Sequence, residues 1–174
     1  MTYQYEYPHP AVTTDTAVFS IIEGRLNVAL IERAGEPYKG HWALPGGFVQ
    51  MDEDLETGAR RELAEEAGVT PAQLEGLPFL QIGAYGRPDR DPRERVITVV
   101  YLTLVPMDRL KLVASTDAAK AEWFSFDNLP ELAFDHAKIL DDARNALAKL
   151  VSTDLGDDAS VVFSFLPEEF TLSQ

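Results

Sequence analysis

Residues 47–69 read G-F-V-Q-M-D-E-D-L-E-T-G-A-R-R-E-L-A-E-E-A-G-V, and the rest of the chain is best interpreted outward from this stretch. In its second half apolar residues recur at every fourth position, which predicts a helix over residues 55–67. Asp54 suits the N-cap, and Gly68 suits the left-handed position that follows the last turn. The stretch therefore predicts a loop followed by a short helix that carries many carboxylates.

Three glutamates of this predicted helix fall on one side of it. Glu62 and Glu66 are one turn apart, and Glu65 lies beside them. Carboxylates this close repel one another, and magnesium would compensate because it prefers oxygen ligands and keeps waters for a substrate. The alternative is a solvated acidic helix without a ligand, which is the usual fate of a charge run. For three glutamates alone, the solvated helix is the better interpretation.

The full spacing resembles the signature of the Nudix hydrolase family, and this changes the balance. The matching residues are Gly47, Glu53, Arg61, Glu62, Leu63, Glu65, Glu66, Gly68 and Val69. The likeness covers roughly residues 10–150, because the preceding L-P-G-G and a late strand and helix are also similar to the family. The resemblance implies an α/β/α sandwich around a mixed sheet, of the α+β or α/β class. It also implies hydrolysis of a nucleoside diphosphate linked to another moiety.

The resemblance also implies roles for particular residues. Mg²⁺ is the expected cofactor, for which Mn²⁺ can substitute, and Arg61 is expected to pair with Glu53 and hold the loop against the helix. The general base would come from the signature or from a later loop, where Asp117 and Glu122 are the acidic candidates. The implied catalytic set is Glu53, Arg61, Glu62, Glu65 and Glu66. The implied metal ligands are Glu62, Glu65, Glu66, the carbonyl of Gly46, and Glu122.

A loop over residues 86–95 gathers arginines. Its P-D-R-D-P-R pattern resembles a Nudix subgroup that acts on, or senses, ADP-ribose, although acidic neighbours could simply neutralise a surface loop. Arginine suits phosphate because its guanidinium is planar and permanently charged. The expected substrate-binding residues are Arg33, Arg90, Arg93 and Arg95. Trp42, Phe48 and Tyr85 could stack on adenine, but aromatic residues beside strands are more often core, and His136 is expected to make structural hydrogen bonds.

Composition limits the classes of partner. The net charge of −14 repels nucleic acid and anionic membranes, whereas a polyanionic small molecule could bind through bridging cations. No apolar run approaches the roughly 20 residues that cross a bilayer. The chain has no cysteine, which excludes disulfides and thiolate sites. We therefore expect a cytoplasmic protein with no membrane or nucleic-acid partner. The resemblance to the Nudix family adds the expectation of a nucleoside diphosphate substrate and of a homodimer.

The predicted order of elements is β-β-β-α-β-β-β-α. Strands are expected over 11–22, 26–32, 42–49, 77–85, 96–105 and 121–126, and a second helix over 136–150. Residues 1–150 would form the Nudix domain. Residues 151–174 would form an acidic flexible linker and an apolar tail, which is where a further C-terminal domain could start.

Two functions from different classes fit these patterns. The first is a magnesium-dependent pyrophosphatase acting on ADP-ribose or a similar compound. The second is an ADP-ribose sensor, because the early Y-P-H-P-A-V, the arginine loop and the final L-P-E-E-F-T-L resemble Nudix-related regulators of NAD metabolism. In those regulators a winged helix follows the Nudix domain, and this chain ends where one would begin. The intact signature favours the enzyme. A nucleotide-sanitising triphosphatase is a third, less supported interpretation.

Overall fold

A long hairpin organises the sheet in the computed structural model, which describes residues 5–110, 112–114 and 118–157, the last five by their backbone alone. Strand β1 (Ala11–Ile22) runs antiparallel to β2 (Arg25–Arg33). The turn residues Glu23 and Gly24 both have positive φ, as a two-residue hairpin turn requires. The two strands pair only from the turn to Phe19 and Val28, so that they diverge beyond this point and leave a fork.

Two short strands fill the fork. Strand β3 (Trp42–Ala43) pairs with β2, and β4 (Gly46–Phe48) pairs with β1 at residues 13–15. The stretch expected to be extended over residues 42–49 therefore consists of two short strands separated at Leu44 and Pro45. Pro45 lies at the break, where it has no N–H for a ladder while its carbonyl accepts from the N–H of Thr16. Each half of this segment can then pair with a different arm of the fork.

The remaining strands extend the sheet on both sides. Strand β6 (Val96–Leu104) runs parallel to β1, and β5 (Phe79–Tyr85) runs antiparallel to β6. Strand β7 (Ala118–Ser125), which begins three residues earlier than predicted, runs antiparallel to β2. The order is β3-β2-β1-β6-β5, with β4 attached to β1 and β7 to β2. The sheet is thus mixed, as expected.

The first helix, α1 (Leu55–Ala67), has the predicted bounds. Its cap is formed by Asp54, whose Oδ1 accepts from the N–H of Thr57 at 2.8 Å, and Gly68 ends it at φ 70°. Pro71 begins a 3₁₀ helix (Pro71–Leu74) that the sequence analysis did not predict. Both end signals of α1 are local, which is why spacing alone located it.

The second helix, α2 (His136–Asp157), is longer than the predicted 136–150. The flexible linker expected from residue 151 onward is therefore wrong as far as Asp157. Val151 packs against the apolar cluster beneath the helix, and the Ser152 hydroxyl donates to the carbonyl of Ala148 at 2.7 Å. The helix continues because one of its faces still has apolar residues to contact. The predicted apolar tail, residues 158–174, lies outside the described residues.

The two helices cover opposite faces of the sheet. Along β1 and β2 successive side chains alternate between two apolar clusters, because strand side chains point to opposite faces. Val18 and Ile31 pack with Leu63 of α1, whereas Phe19 and Leu30 pack on the α2 side. The architecture is the expected α/β/α sandwich around a mixed sheet. No helix of the described residues is long and apolar enough to cross a bilayer.

Candidate functional site

A cleft of about 550 Å³ opens where β1 and β2 diverge. Its walls come from the arms of the fork, β4, α1, the loop over residues 86–95 and the start of α2. Three arginines and four carboxylates thus share one small volume, which suits an anionic ligand held partly through cations. The charged residues that line it are Asp15, Arg33, Glu62, Glu66, Arg90, Asp91 and Arg93.

Glu66 is the most buried carboxylate of α1, at 9% exposure. Its Oε2 accepts from the N–H of Gly46 at 2.8 Å, which joins α1 to β4. Burial, with the charges of Glu62 and Asp15 acting in the same direction, raises the pKa of Glu66 to about 8, although the hydrogen bond from Gly46 opposes the shift. Burial also raises the pKa of Glu62, although the Arg61 guanidinium opposes that shift. The charges of the two carboxylates therefore act on each other within the cleft.

Arg61 is the hub of the signature. Its Nε and Nη2 donate to the two oxygens of Glu53 at 3.0 and 2.6 Å, and Nη2 also donates to the carbonyl of Phe48 at 3.1 Å. Its Nη1 donates to Glu62 at 2.7 Å and to Glu65 at 3.0 Å. These hydrogen bonds with Arg61 hold the pKa of Glu53 below its usual range. The pair expected between Arg61 and Glu53 is present and fastens the loop to the helix.

Glycine is required where β4 approaches α1. A Cβ on Gly47 would lie 2.5 Å from the carboxylate of Glu62, so any side chain there would displace that group. Gly58 leaves space for Glu53, whose Oε1 would lie 3.0 Å from an added Cβ. These two glycines therefore let carboxylates approach the backbone closely.

The expected metal ligands are only partly brought together. Among the described residues, no three His, Asp or Glu side chains are arranged to hold one ion. Glu65 is half-exposed and bonded to Arg61, and Gly46 contacts Glu66 through its N–H. Glu122 is exposed on β7 and does not line the cleft. Glu62 and Glu66 both line the cleft, and their carboxylate oxygens are the kind of ligand that a hard divalent cation prefers.

The expected substrate-binding arginines have different surroundings. Arg90 has a side chain only 3% exposed, and its Nε and Nη2 donate to Asp135 at 3.2 and 2.7 Å. Arg90 therefore lines the cleft as part of a buried ion pair, not as a free donor. Arg95 does not line the cleft; its side chain is exposed, and its Nη1 donates to the carbonyl of Val96 at 3.4 Å. Arg95 lacked any local signal that would separate it from its neighbours.

Arg33 and Arg93 keep guanidinium nitrogens available. Arg33 donates from Nε to the carbonyl of Pro37 at 2.8 Å, and Arg93 donates from Nε and Nη2 to Asp91. Within the described part of the chain, Nη1 and Nη2 of Arg33 and Nη1 of Arg93 make no hydrogen bond. These three nitrogens are donors that the cleft offers to an anion.

A buried network that the sequence analysis did not single out underlies the cleft. Asp15 accepts from the hydroxyl of Thr98 at 2.6 Å, and its other oxygen lies 3.7 Å from Nε2 of His136. Nδ1 of His136 accepts from the N–H of Leu44 at 3.0 Å, so the neutral ring carries its proton on Nε2. Burial lowers the pKa of His136. The expected structural role of His136 is confirmed.

Of the three aromatic residues considered for stacking, only Phe48 lines the cleft. The Trp42 ring packs edge-on against Phe124, and the Tyr85 hydroxyl donates to Asp142 at 3.0 Å. Phe134, which was not predicted, also lines the cleft. Nothing in its local sequence marks it, because its position depends on the start of α2 meeting the fork. Asp117, a candidate base, lies outside the described residues.

Comparisons with known proteins agree with this geometry. A family model described as the NUDIX domain matches residues 13–143. ADP-ribose pyrophosphatase of Methanocaldococcus jannaschii is 46% identical over 78% of this chain and 74% of its own length. The ADPR responsive transcriptional repressor NtrR of Acinetobacter baylyi is 34% identical over 97% of this chain and 65% of its own. The solved NUDIX domain of Shewanella oneidensis NrtR, complexed with ADP ribose, has a TM-score of 0.73 and 29% identity, covering 81% of this chain and 90% of that one.

Proposed function

This chain belongs to the Nudix family, and we propose that it is a Mg²⁺-dependent hydrolase that splits the pyrophosphate bond of ADP-ribose or a similar nucleoside diphosphate derivative. One observation carries the proposal: a single cleft contains the carboxylates of Glu62, which is partly buried, and Glu66, which is buried, together with the available guanidinium groups of Arg33 and Arg93. A diphosphate needs both kinds of group. The 46% identity to an ADP-ribose pyrophosphatase supports the choice of substrate.

Each residue has a part in this proposal. Arg33 and Arg93 bind the anionic part of the substrate through their available nitrogens. Arg61 orients Glu62 and Glu65, and Glu53 holds Arg61 by a bidentate contact. Such supporting contacts matter because a carboxylate displaced by about 1 Å costs a large part of the rate. Glu53 and Arg61 are therefore positioning residues and not groups that touch the substrate.

Glu62 and Glu66 would hold the cation, with Glu65 beside them on α1 as a further carboxylate. When bound, a divalent cation supplies charge neutralisation for the diphosphate oxygens and lowers the pKa of a coordinated water. The protein contributes the fixed placement of the two carboxylates, through the N–H of Gly46 and the guanidinium of Arg61. Gly47 contributes the space in which the Glu62 carboxylate lies.

A hydrolysis screen tests the proposal. Purified chain would be incubated with ADP-ribose, NADH, sugar nucleotides and deoxynucleoside triphosphates, with Mg²⁺, with Mn²⁺ and with EDTA. We expect AMP and ribose 5-phosphate from ADP-ribose, and no turnover in EDTA. Metal-independent turnover, or turnover of triphosphates alone, would contradict it.

A second candidate is an ADP-ribose-binding sensor domain. The observation that favours it is the match to a repressor over 97% of this chain, against 78% for the pyrophosphatase. The retained Glu62, Glu65 and Glu66 favour the enzyme, since binding alone does not require them. The same preparation distinguishes the two: a sensor binds ADP-ribose in calorimetry and leaves it intact during overnight incubation with Mg²⁺.

A further inference from the structure

Phe134 occupies an unusual position at the mouth of the cleft. It immediately precedes the Asp135–His136 pair at the start of α2 and has a φ of 54°, which is uncommon for a large side chain. The centroid of its ring is 4.8 Å from the Cζ of Arg33 and 5.7 Å from the Cζ of Arg93. Tyr38, also at positive φ, packs edge-on against the same ring with centroids 4.8 Å apart. One aromatic ring thus contacts both arginines that offer free donors.

Two guanidinium groups this close repel each other. The charge of Arg93 acts with burial to lower the pKa of Arg33. Asp91 offsets the charge of Arg93, but among the described residues Arg33 has only the Pro37 carbonyl as a hydrogen-bond partner on its side chain. The negative face of an aromatic ring attracts a guanidinium within about 6 Å of its centroid. The Phe134 ring therefore attracts both guanidinium groups and leaves their positive charge in place, whereas a carboxylate at this position would neutralise that charge.

We propose that Phe134 is a positioning residue that holds Arg33 and Arg93 together as a clamp for the diphosphate of the ligand. The ring keeps both guanidinium groups beside the cleft without using any of their N–H donors. A carboxylate in its place would occupy those donors, as Asp135 does with Arg90. This inference rests on the proposed function for the identity of the ligand.

The principal alternative is that Phe134 stacks directly on the base of the nucleotide. The contacts already made by its ring favour the positioning role, since Arg33, Arg93, Tyr38 and His136 surround it. The two roles differ in their dependence on the base. If the ring positions the arginines, its loss weakens the binding of any diphosphate. If the ring stacks on the base, its loss weakens the binding of only those ligands that carry a base.

The test measures the affinity of the full chain for two ligands by calorimetry in EDTA, where no turnover occurs. The ligands are ADP-ribose and inorganic pyrophosphate, which has no base. The variants are Phe134→Leu, which keeps an apolar side chain at the same φ, and Phe134→Tyr, which keeps the ring. Phe126→Leu is the matched control, because the Phe126 ring also faces an arginine, Arg144 at 5.5 Å, but does not line the cleft.

We expect Phe134→Leu to bind both ligands about tenfold more weakly, because two side chains must then be ordered on binding. The affinities of Phe134→Tyr and Phe126→Leu for both ligands should lie within about twofold of the affinity of the unmodified chain, because both variants keep a ring beside the two arginines. An unchanged affinity of Phe134→Leu for pyrophosphate would overturn the inference, and a loss confined to ADP-ribose would assign base stacking instead. Failure of the unmodified chain to bind millimolar pyrophosphate would overturn it as well.

Two further measurements keep the test decisive. If Phe134→Leu does not fold, the same comparison is made between Phe134→Met and Phe134→Trp; equal pyrophosphate affinity in the two would overturn the inference. Because binding is measured without turnover, an inactive chain that follows the expected pattern contradicts only the proposed hydrolysis. An active chain that departs from the pattern contradicts only the role of Phe134.

Discussion

At the scale of single residues, Glu66 combines burial, one backbone hydrogen bond and two like-charged neighbours. Burying a charged carboxylate in such surroundings lowers the stability of the fold unless a cation compensates its charge, and carboxylates of this kind are frequent at functional sites. The hydrogen bond from Gly46 needs only an acceptor oxygen, which an amide also provides. Charge and structure can therefore be separated at this position.

Glu66→Gln should reduce hydrolysis of ADP-ribose at least about a hundredfold, the scale reported for losing one preorganised charged or polar group. The thermal midpoint of the metal-free chain should not fall, because the amide oxygen still accepts from Gly46. Steady-state kinetics and a thermal melt measure the two quantities. Glu75→Gln, at an exposed position outside the cleft, is the control and should change neither. Undiminished turnover in Glu66→Gln would show that the signature is not the catalytic centre.

His136 leads to a prediction about pH. Its pKa is lowered by burial, so below the unfolded value of about 6.5 the unfolded chain binds a proton that the folded chain does not. The contribution of neutral His136 to the free energy of unfolding is therefore fully present above pH 6.5. It is lost as the pH falls from there toward the pKa of His136 in the folded chain. Protonation would also turn Nδ1 into a donor facing the N–H of Leu44.

His136→Asn retains an acceptor for Leu44 but cannot take up a proton. Between pH 7.5 and 5.5 the unmodified chain should lose about 1 kcal/mol more unfolding free energy than the variant. Urea unfolding at both pH values measures this difference. His9→Asn, at an exposed position, is the control and should behave as the unmodified chain. Equal pH dependence in the unmodified chain and His136→Asn would show that His136 titrates normally in the fold.

At the scale of elements, the loop over residues 86–95 combines structural and binding arginines. Arg90 is buried and paired with Asp135 across the cleft wall. Arg93 is 38% exposed and turns toward the aromatic rings of Phe48 and Phe134. Arg87 is exposed and pairs with Asp89 on the surface. These surroundings predict that Arg93 affects mainly substrate affinity and that Arg90 affects mainly stability.

Single alanine variants separate these roles. Arg90→Ala should lower the free energy of unfolding by about 3 kcal/mol, because it leaves the partly buried Asp135 without its partner. Arg93→Ala should raise KM for ADP-ribose about tenfold or more, with a change in stability below about 1 kcal/mol. Denaturant unfolding and initial rates measure both effects, and Arg87→Ala is the control within the same loop. An Arg90→Ala variant as stable as the control would show that its ion pair contributes little.

At the scale of the whole molecule, α2 sets where the described fold ends. It continues past Leu150, and Val151 contacts the apolar cluster that also contains Leu147. The apolar stretch over residues 161–166 lies beyond the described residues. From its composition alone we expect it to associate with another surface, such as a second copy of the chain. A cut in the chain should therefore have different effects on either side of Asp157.

Truncation after Asp157 should leave the per-site kcat within about twofold, a change that corresponds to less than 0.5 kcal/mol in the barrier. It should also reduce the number of chains per particle in solution, as measured by light scattering. Truncation after Leu150 should in addition lower the thermal midpoint, because it removes the Val151 contact and the last turns of the helix. Loss of turnover in a folded chain cut after Asp157, with unchanged mass, would instead place the tail at the cleft.

The sequence by itself determined the features that depend on neighbours along the chain. The bounds of α1 and the hairpin turn follow from caps, turn residues and spacing. The pairing of Arg61 with Glu53 and the α/β/α architecture were expected only from the resemblance to the Nudix family. The tertiary structure alone decided which distant residues meet. Whether Arg90 is buried, Arg93 open and Arg95 outside the cleft depends on how one loop packs against the start of α2. Contacts such as Leu44 with His136, or Phe134 with Arg33, join segments about 100 residues apart, and no local pattern records such pairings because they arise only when the layers pack.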